Sequence, residues 1–292
     1  MRTKALFAGL QAALLLTAGT ALAAPDARPG DLRLTYSIYL GGIRVLDAEA
    51  HLGYGPEAYR IGIKAQTDGF LGQVANWRAD VASHGRLAPG GLPRPELYRS
   101  ISAWRDKPRN TTVEYTAEGV PTVTVAEPPP SQDREPVPDN LKPGTVDPMT
   151  AVVAALHAAA EGRGCGGTVP VYDGRQRFDL VWETKGEETL APSDLSAFTG
   201  TAIACTLDYE PVAGRWREDR QRRDRDDEGR RRQRDVIVSI WLGEAVADRP
   251  PVPVRLEADT NLGKLVVHLS KAQPITEASV GQLPTGNLAA SN

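Results

Sequence analysis

Only two cysteines, two methionines and four histidines occur among the 292 residues, and aromatic side chains make up just 6%. Each shortage narrows the chemistry. His51, His84, His157 and His268 are the only side chains whose ordinary pKa lies near neutrality. None has a second histidine two to five residues on, so no zinc pair is encoded locally, and each reads as a surface residue. The two cysteines form no C-x-x-C, the spacing that zinc sites and dithiol oxidoreductases use. There is no G-x-S-x-G elbow, no phosphate loop and no dinucleotide fingerprint. Gly164, Gly166 and Gly167 surround Cys165, but a phosphate loop needs its helix afterwards, and here the helix comes first. No catalytic, cofactor-binding or metal-binding residue is therefore expected, and a non-enzymatic role is.

Charge of one sign is also missing. Lys and Arg number 34 against 37 Asp and Glu, a formal net charge of −3, which argues against a general nucleic-acid binder. Beyond residue 23 no apolar run is long enough to span a bilayer, so no stable membrane insertion is expected.

Residues 1–23 have the three parts of a secretory signal: basic Arg2 and Lys4, a mostly apolar stretch over 6–16, and small residues at Ala21 and Ala23. Cleavage after Ala23 and a periplasmic destination are expected. An even cysteine count in an exported chain then reads as one bridge between Cys165 and Cys205, with a zinc or redox pair as the alternative.

What is present is alternation. Leu32, Leu34, Tyr36 and Ile38 share one face of a strand, Gly41-Gly42 supplies a turn, and a return strand shows a phase change near Leu46 that a bulge explains. Further strands are read at 59–66, 77–81, 97–104, 112–116 and 121–125. Residues 127–143 hold six prolines and form an extended connection. One helix follows. Asp147 suits its N-cap and Pro148 its first position, and Met149, Val152, Val153 and Leu156 recur at helical spacing. These four are expected to face the sheet, with Thr150 and His157 toward the edge. Strands resume with a hairpin turning at Asp173-Gly174, then at 203–209, 236–242, 253–258 and 264–269.

Residues 215–235 carry ten arginines mixed with seven acids and read as a solvated insertion. Residues 273–292 are small and polar and read as a disordered tail, leaving 24–272 as a single β-rich domain.

Several spaced elements together resemble the domain-of-unknown-function 3108 family of bacterial periplasmic proteins. They are the stretch 36–43 with its Gly41-Gly42 turn, Thr67-Asp68-Gly69, Trp77, Gly85, and Pro95 before Tyr98. Later come Asp147-Pro148, Cys165, the stretch 171–175 with Phe178-Asp179, Cys205, Trp241-Leu242 and Pro253-Val254-Arg255. The layout is also similar to the envelope integrity protein B type of β-spiral, in which a curved sheet wraps a helix and carries one disulfide. The resemblance implies a compartment and a fold without naming a reaction.

The expected architecture is mainly β: a curved antiparallel sheet, spiral or half-barrel, wrapped around one central α-helix, with a two-unit sandwich as the alternative. The expected function is a cell-envelope protein binding a partner protein or an apolar ligand, such as an acyl chain or lipid, in the concave face of the sheet. The alternative is a hydrolase or transferase acting on envelope polymers through dispersed residues.

Overall fold

The computed structural model describes residues 31–67, 76–88, 90–105, 107–129, 134–215 and 237–276. The expected signal segment and nearly all of the Arg-rich run lie outside them. The described residues form thirteen strands and one α-helix: β1 (Leu32–Leu40), β2 (Ile43–Tyr54), β3 (Ala58–Thr67), β4 (Trp77–Arg86), β5 (Arg94–Trp104), β6 (Lys107–Tyr115), β7 (Pro121–Glu127), α1 (Pro148–Ala160), β8 (Thr168–Tyr172), β9 (Arg177–Leu190), β10 (Gly200–Ala213), β11 (Val238–Gly243), β12 (Val252–Thr260) and β13 (Gly263–Pro274).

All thirteen strands join one sheet in the order β7-β6-β5-β4-β3-β2-β1-β13-β12-β11-β10-β9-β8. Each pair is antiparallel. β1 lies between β2 and β13, so the first and last strands sit side by side while β7 and β8 form the two edges. So many twisted strands cannot stay flat, and bulges such as those at Thr35/Tyr36, Ile38/Tyr39 and His84/Gly85 add bend where they fall. The sheet curls into a nearly closed barrel.

Local chemistry explains the turns. Gly41 and Gly42 adopt φ +57° and +84°, the double left-handed geometry that a two-residue hairpin requires. The β8–β9 connection departs from the expected two-residue turn. Tyr172 pairs with Arg177, so Asp173, Gly174, Arg175 and Gln176 form a four-residue loop, and the Asp173 carboxylate accepts the N–H groups of Arg175 and Gln176.

Helix α1 runs inside the barrel. Asp147 caps it by accepting from the N–H groups of Met149 and Thr150, and Gly162, at φ +72°, lets the chain leave it. Met149, Thr150, Ala151, Val153, Ala155, Leu156, His157, Ala158 and Ala159 are all buried, so the helix is enclosed on nearly every side. This corrects the expected faces. Thr150 and His157 point into protein, while Val152 is only half-buried. His268 is buried as well, so neither it nor His157 is a surface residue.

Just past the helix, Cys165 is bonded to Cys205 on β10, with Cα atoms 6.2 Å apart and a sequence separation of 40. Closing a loop of that length stabilises the fold by about 2–4 kcal/mol through the unfolded chain. The domain extends slightly past the expected boundary at 272, and residues 277–292 of the expected tail lie outside the described residues. β13 continues through Pro274, and the buried Ile275 donates its N–H to the Asp31 carbonyl.

Candidate functional site

Three polar or open places interrupt the apolar interior. The first surrounds the start of α1. Asp147 is fully buried; its Oδ1 accepts from the N–H groups of Met149 and Thr150 at 2.9 Å each, and its Oδ2 accepts the Ser83 hydroxyl at 2.8 Å and the Thr150 hydroxyl. Tyr59 completes the chain of hydroxyls through Thr150. Burial outweighs these bonds and pushes the Asp147 carboxyl up to about 6 from 3.8. Burial also raises the hydroxyl pKa values of Tyr59, Tyr98, Tyr115 and Tyr172 around it, Tyr172 to about 12. These phenols keep their protons at neutral pH, and the cluster fixes the start of the helix to β3 and β4.

A pH dependence follows. Folding raises the Asp147 pKa, so protonation favours the folded state: the contribution is fully present below about pH 4 and is lost as pH rises through about 6. Asp173 shifts the same way through burial, whereas burial lowers the pKa of His268 and acts oppositely below 6.5. The Asp147 share is isolated by comparison with Asp147→Asn. Between pH 7.5 and 4.5 the parent should gain roughly 2–3 kcal/mol relative to this variant in urea unfolding. Parallel stability curves would contradict it.

The second place is a cleft of about 760 Å³ at the barrel mouth beside the C-terminal end of α1. Tyr54 at the end of β2, Gly55 and Pro56 of the β2–β3 turn, Ala159 and Ala160 of α1, Glu187 of β9, the start of β10, the end of β11 and the following loop line it. Tyr54 OH contacts His157 Nδ1, and His157 Nε2 lies 3.3 Å from the Ala88 carbonyl and 3.6 Å from Glu161 Oε1. Hydroxyl, imidazole and carboxylate in series suggest nucleophile activation. The electrostatics oppose it, because burial and the Glu161 charge raise the Tyr54 pKa, and Arg163 already holds Glu161. The trio anchors the helix end. Its sequence signal was the spacing of Thr150, Val153 and His157 at i, i+3 and i+7, a stripe concealed by its polar members.

The third is a small pocket of about 180 Å³ at the other end, on the inner face of β5 and β6, lined by Tyr98, Ser100, Ser102, Arg109, Thr111, Arg134, Asp173 and Arg175. Cys165 and Cys205, the expected disulfide residues, lie in neither this pocket nor the cleft lining; they tie the end of α1 to β10. Among the described residues no group of three or more His, Cys, Asp or Glu is placed to hold a metal ion, and no helix is long and apolar enough to cross a membrane.

Comparison with known proteins adds a family. No curated protein sequence matches the chain. Among solved structures, a β-barrel-like protein of domain of unknown function DUF1849 from Brucella abortus superposes with a TM-score of 0.48 at 12% identity, covering 85% of this chain and 99% of that one. The family model described as protein of unknown function (DUF3108) matches residues 35–270, which takes in β1 to β13 almost entirely, and the chain belongs to that family.

Proposed function

We propose that this is a non-enzymatic protein of the periplasm whose site is the cleft at the barrel mouth, and that the cleft takes an extended segment of a partner protein carrying small apolar and basic side chains. The observation that carries the reading is the divergence of β10 and β11. Their pairing ends at Ile203 with Leu242, so Thr201 and Ala202 of β10, which line the cleft, run on beyond the reach of β11. An exposed strand end beside a trough is what an added peptide strand uses. The walls there are shallow, built from Gly55, Pro56, Ala159, Ala160 and Gly243, and Glu187, Glu244 and Asp248 outnumber Arg249. An acyl chain calls for a continuous apolar lining, which these carboxylates interrupt. A hydrolase calls for an activated nucleophile, and Tyr54 is shifted the wrong way. Export rests on the signal-like residues 1–23.

The test is a labelled heptapeptide of Ala, Pro and Lys, compared by fluorescence anisotropy with its Glu-for-Lys counterpart. The basic peptide should bind roughly tenfold more tightly. Ala160→Trp, at the exposed end of α1, should abolish binding while leaving the melting temperature unchanged. Equal affinities for the two peptides, or a variant that binds like the parent, would sink the proposal.

A further inference from the structure

We propose that the small pocket on the inner face of β5 and β6 binds inorganic phosphate. The inner face of this hairpin changes character along its length. Tyr98 stands opposite Val113, and both belong to the apolar core, but the next pairs on that face are Ser100 with Thr111 and Ser102 with Arg109. A barrel interior that only had to be filled would stay apolar, since a hydroxyl or a charge taken inside costs free energy unless something binds it. Arg134 and the β8–β9 loop complete the walls. Arg109, Arg134 and Arg175 thereby meet in about 180 Å³, with Asp173 the one acid among the described residues of the lining. At roughly 30 Å³ per water, that is room for a small ion and a few waters and too little for a peptide strand or an acyl chain.

Charge and shape point to an oxyanion. Arg134 and Arg175 are buried and are held by neutral oxygens: Nη1 of Arg134 donates to the Gly214 carbonyl at 3.1 Å, and Arg175 donates to the Thr111 hydroxyl and to the carbonyls of Asn110, Glu127 and Pro128. Such bonds aim a guanidinium without cancelling its charge. A guanidinium so placed matches the oxygens of a phosphate group, and the serine hydroxyls add donors. The carboxylate then chooses among oxyanions. Asp173 Oδ1 accepts from the N–H groups of Arg175 at 2.8 Å and Gln176 at 2.6 Å, and an ionised carboxylate has nothing to donate. Sulfate carries no proton, and a phosphate ester loses its last one near pH 6, so at about pH 8 both meet Asp173 as like charges. Inorganic phosphate still holds one proton there and can donate it to Asp173. The three bases together balance Asp173 and a phosphate dianion.

Calorimetric titration of the full chain at about pH 8 with inorganic phosphate, sulfate and glycerol phosphate in turn is the test. Phosphate should bind at one site, roughly tenfold or more tightly than either of the others. Arg109→Gln, at a half-buried position, should weaken phosphate roughly tenfold while the melting temperature in phosphate-free buffer stays close to the parent's. Ser102→Ala is the milder companion and should weaken it by about threefold. Asp173→Asn keeps an oxygen for the loop N–H groups and gains an amide donor, so it should close most of the gap between phosphate and sulfate. Absence of phosphate binding, equal affinity of the parent for phosphate and sulfate, an Arg109→Gln protein that binds like the parent, or an Asp173→Asn protein that keeps the full preference would each overturn the proposal.

Discussion

Leu156→Ala is expected to destabilise the protein by roughly 3–5 kcal/mol, near the top of the range for such truncations, because the cavity it leaves cannot collapse. Leu156 is 2% exposed on a helix with protein on nearly every side. Both ends of that helix are fixed. Asp147 ties its start to Ser83 on β4, and the Cys165–Cys205 bond ties the chain just after its end to β10. A helix lying on one face of an open sheet could settle into the space; one held at both ends inside a barrel has little room to move. Val152→Ala supplies the comparison. Val152 belongs to the same helix but is half-buried, so its truncation should cost less than half as much in chemical denaturation. Equal costs at the two positions would place the helix outside the sheet and revive the sandwich.

The expectation of a wrapped helix came from the right element by an incomplete argument. Period-two alternation, the Gly41-Gly42 turn and the Asp147-Pro148 helix start are local signals, and each element stands where its signal lies. The orientation of α1 was not legible for a physical reason. An amphipathic helix has one buried stripe, but α1 is enclosed, and small alanines make that enclosure possible without a bulky apolar ring around the axis. Thr150 and His157 are tolerated in the interior because their partners come from β2, β3 and β4, 67 to 103 residues away. No window on the sequence contains both ends of such a bond. The pairing of β1 with β13 is equally remote, since alternation shows that a strand has a buried face without naming its neighbour.

Arg175→Ala is expected to cost roughly 3–5 kcal/mol as well, although an arginine in a turn reads from sequence as a solvated residue. Arg175 is 8% exposed and joins the two edges of the sheet. Its Nε donates to the Thr111 hydroxyl at 3.0 Å, Nη1 to the Pro128 carbonyl at 2.8 Å, and Nη2 to the carbonyls of Asn110 and Glu127 at 3.1 Å each. Those acceptors belong to β6, β7 and the residue after β7, while Arg175 itself sits in the β8–β9 loop. One side chain therefore closes the seam that the linear strand order leaves open. The loop is already tight against β6, since a Cβ on Gly174 would come within 2.4 Å of the Thr111 methyl. Removing the guanidinium leaves several acceptors shielded from water without that donor, and Arg175→Lys should restore only part of the loss because an ammonium cannot span the same set of oxygens. Hydrogen exchange locates the effect. Amides of β6, β7 and β8 should exchange faster in Arg175→Ala while those of β1 and β13, far from the seam in strand order, stay protected. A loss below about 1 kcal/mol, or faster exchange spread evenly over all thirteen strands, would mean that the seam is held elsewhere, with the bridge between Val146 and Val171 beside β8 the next contact to remove.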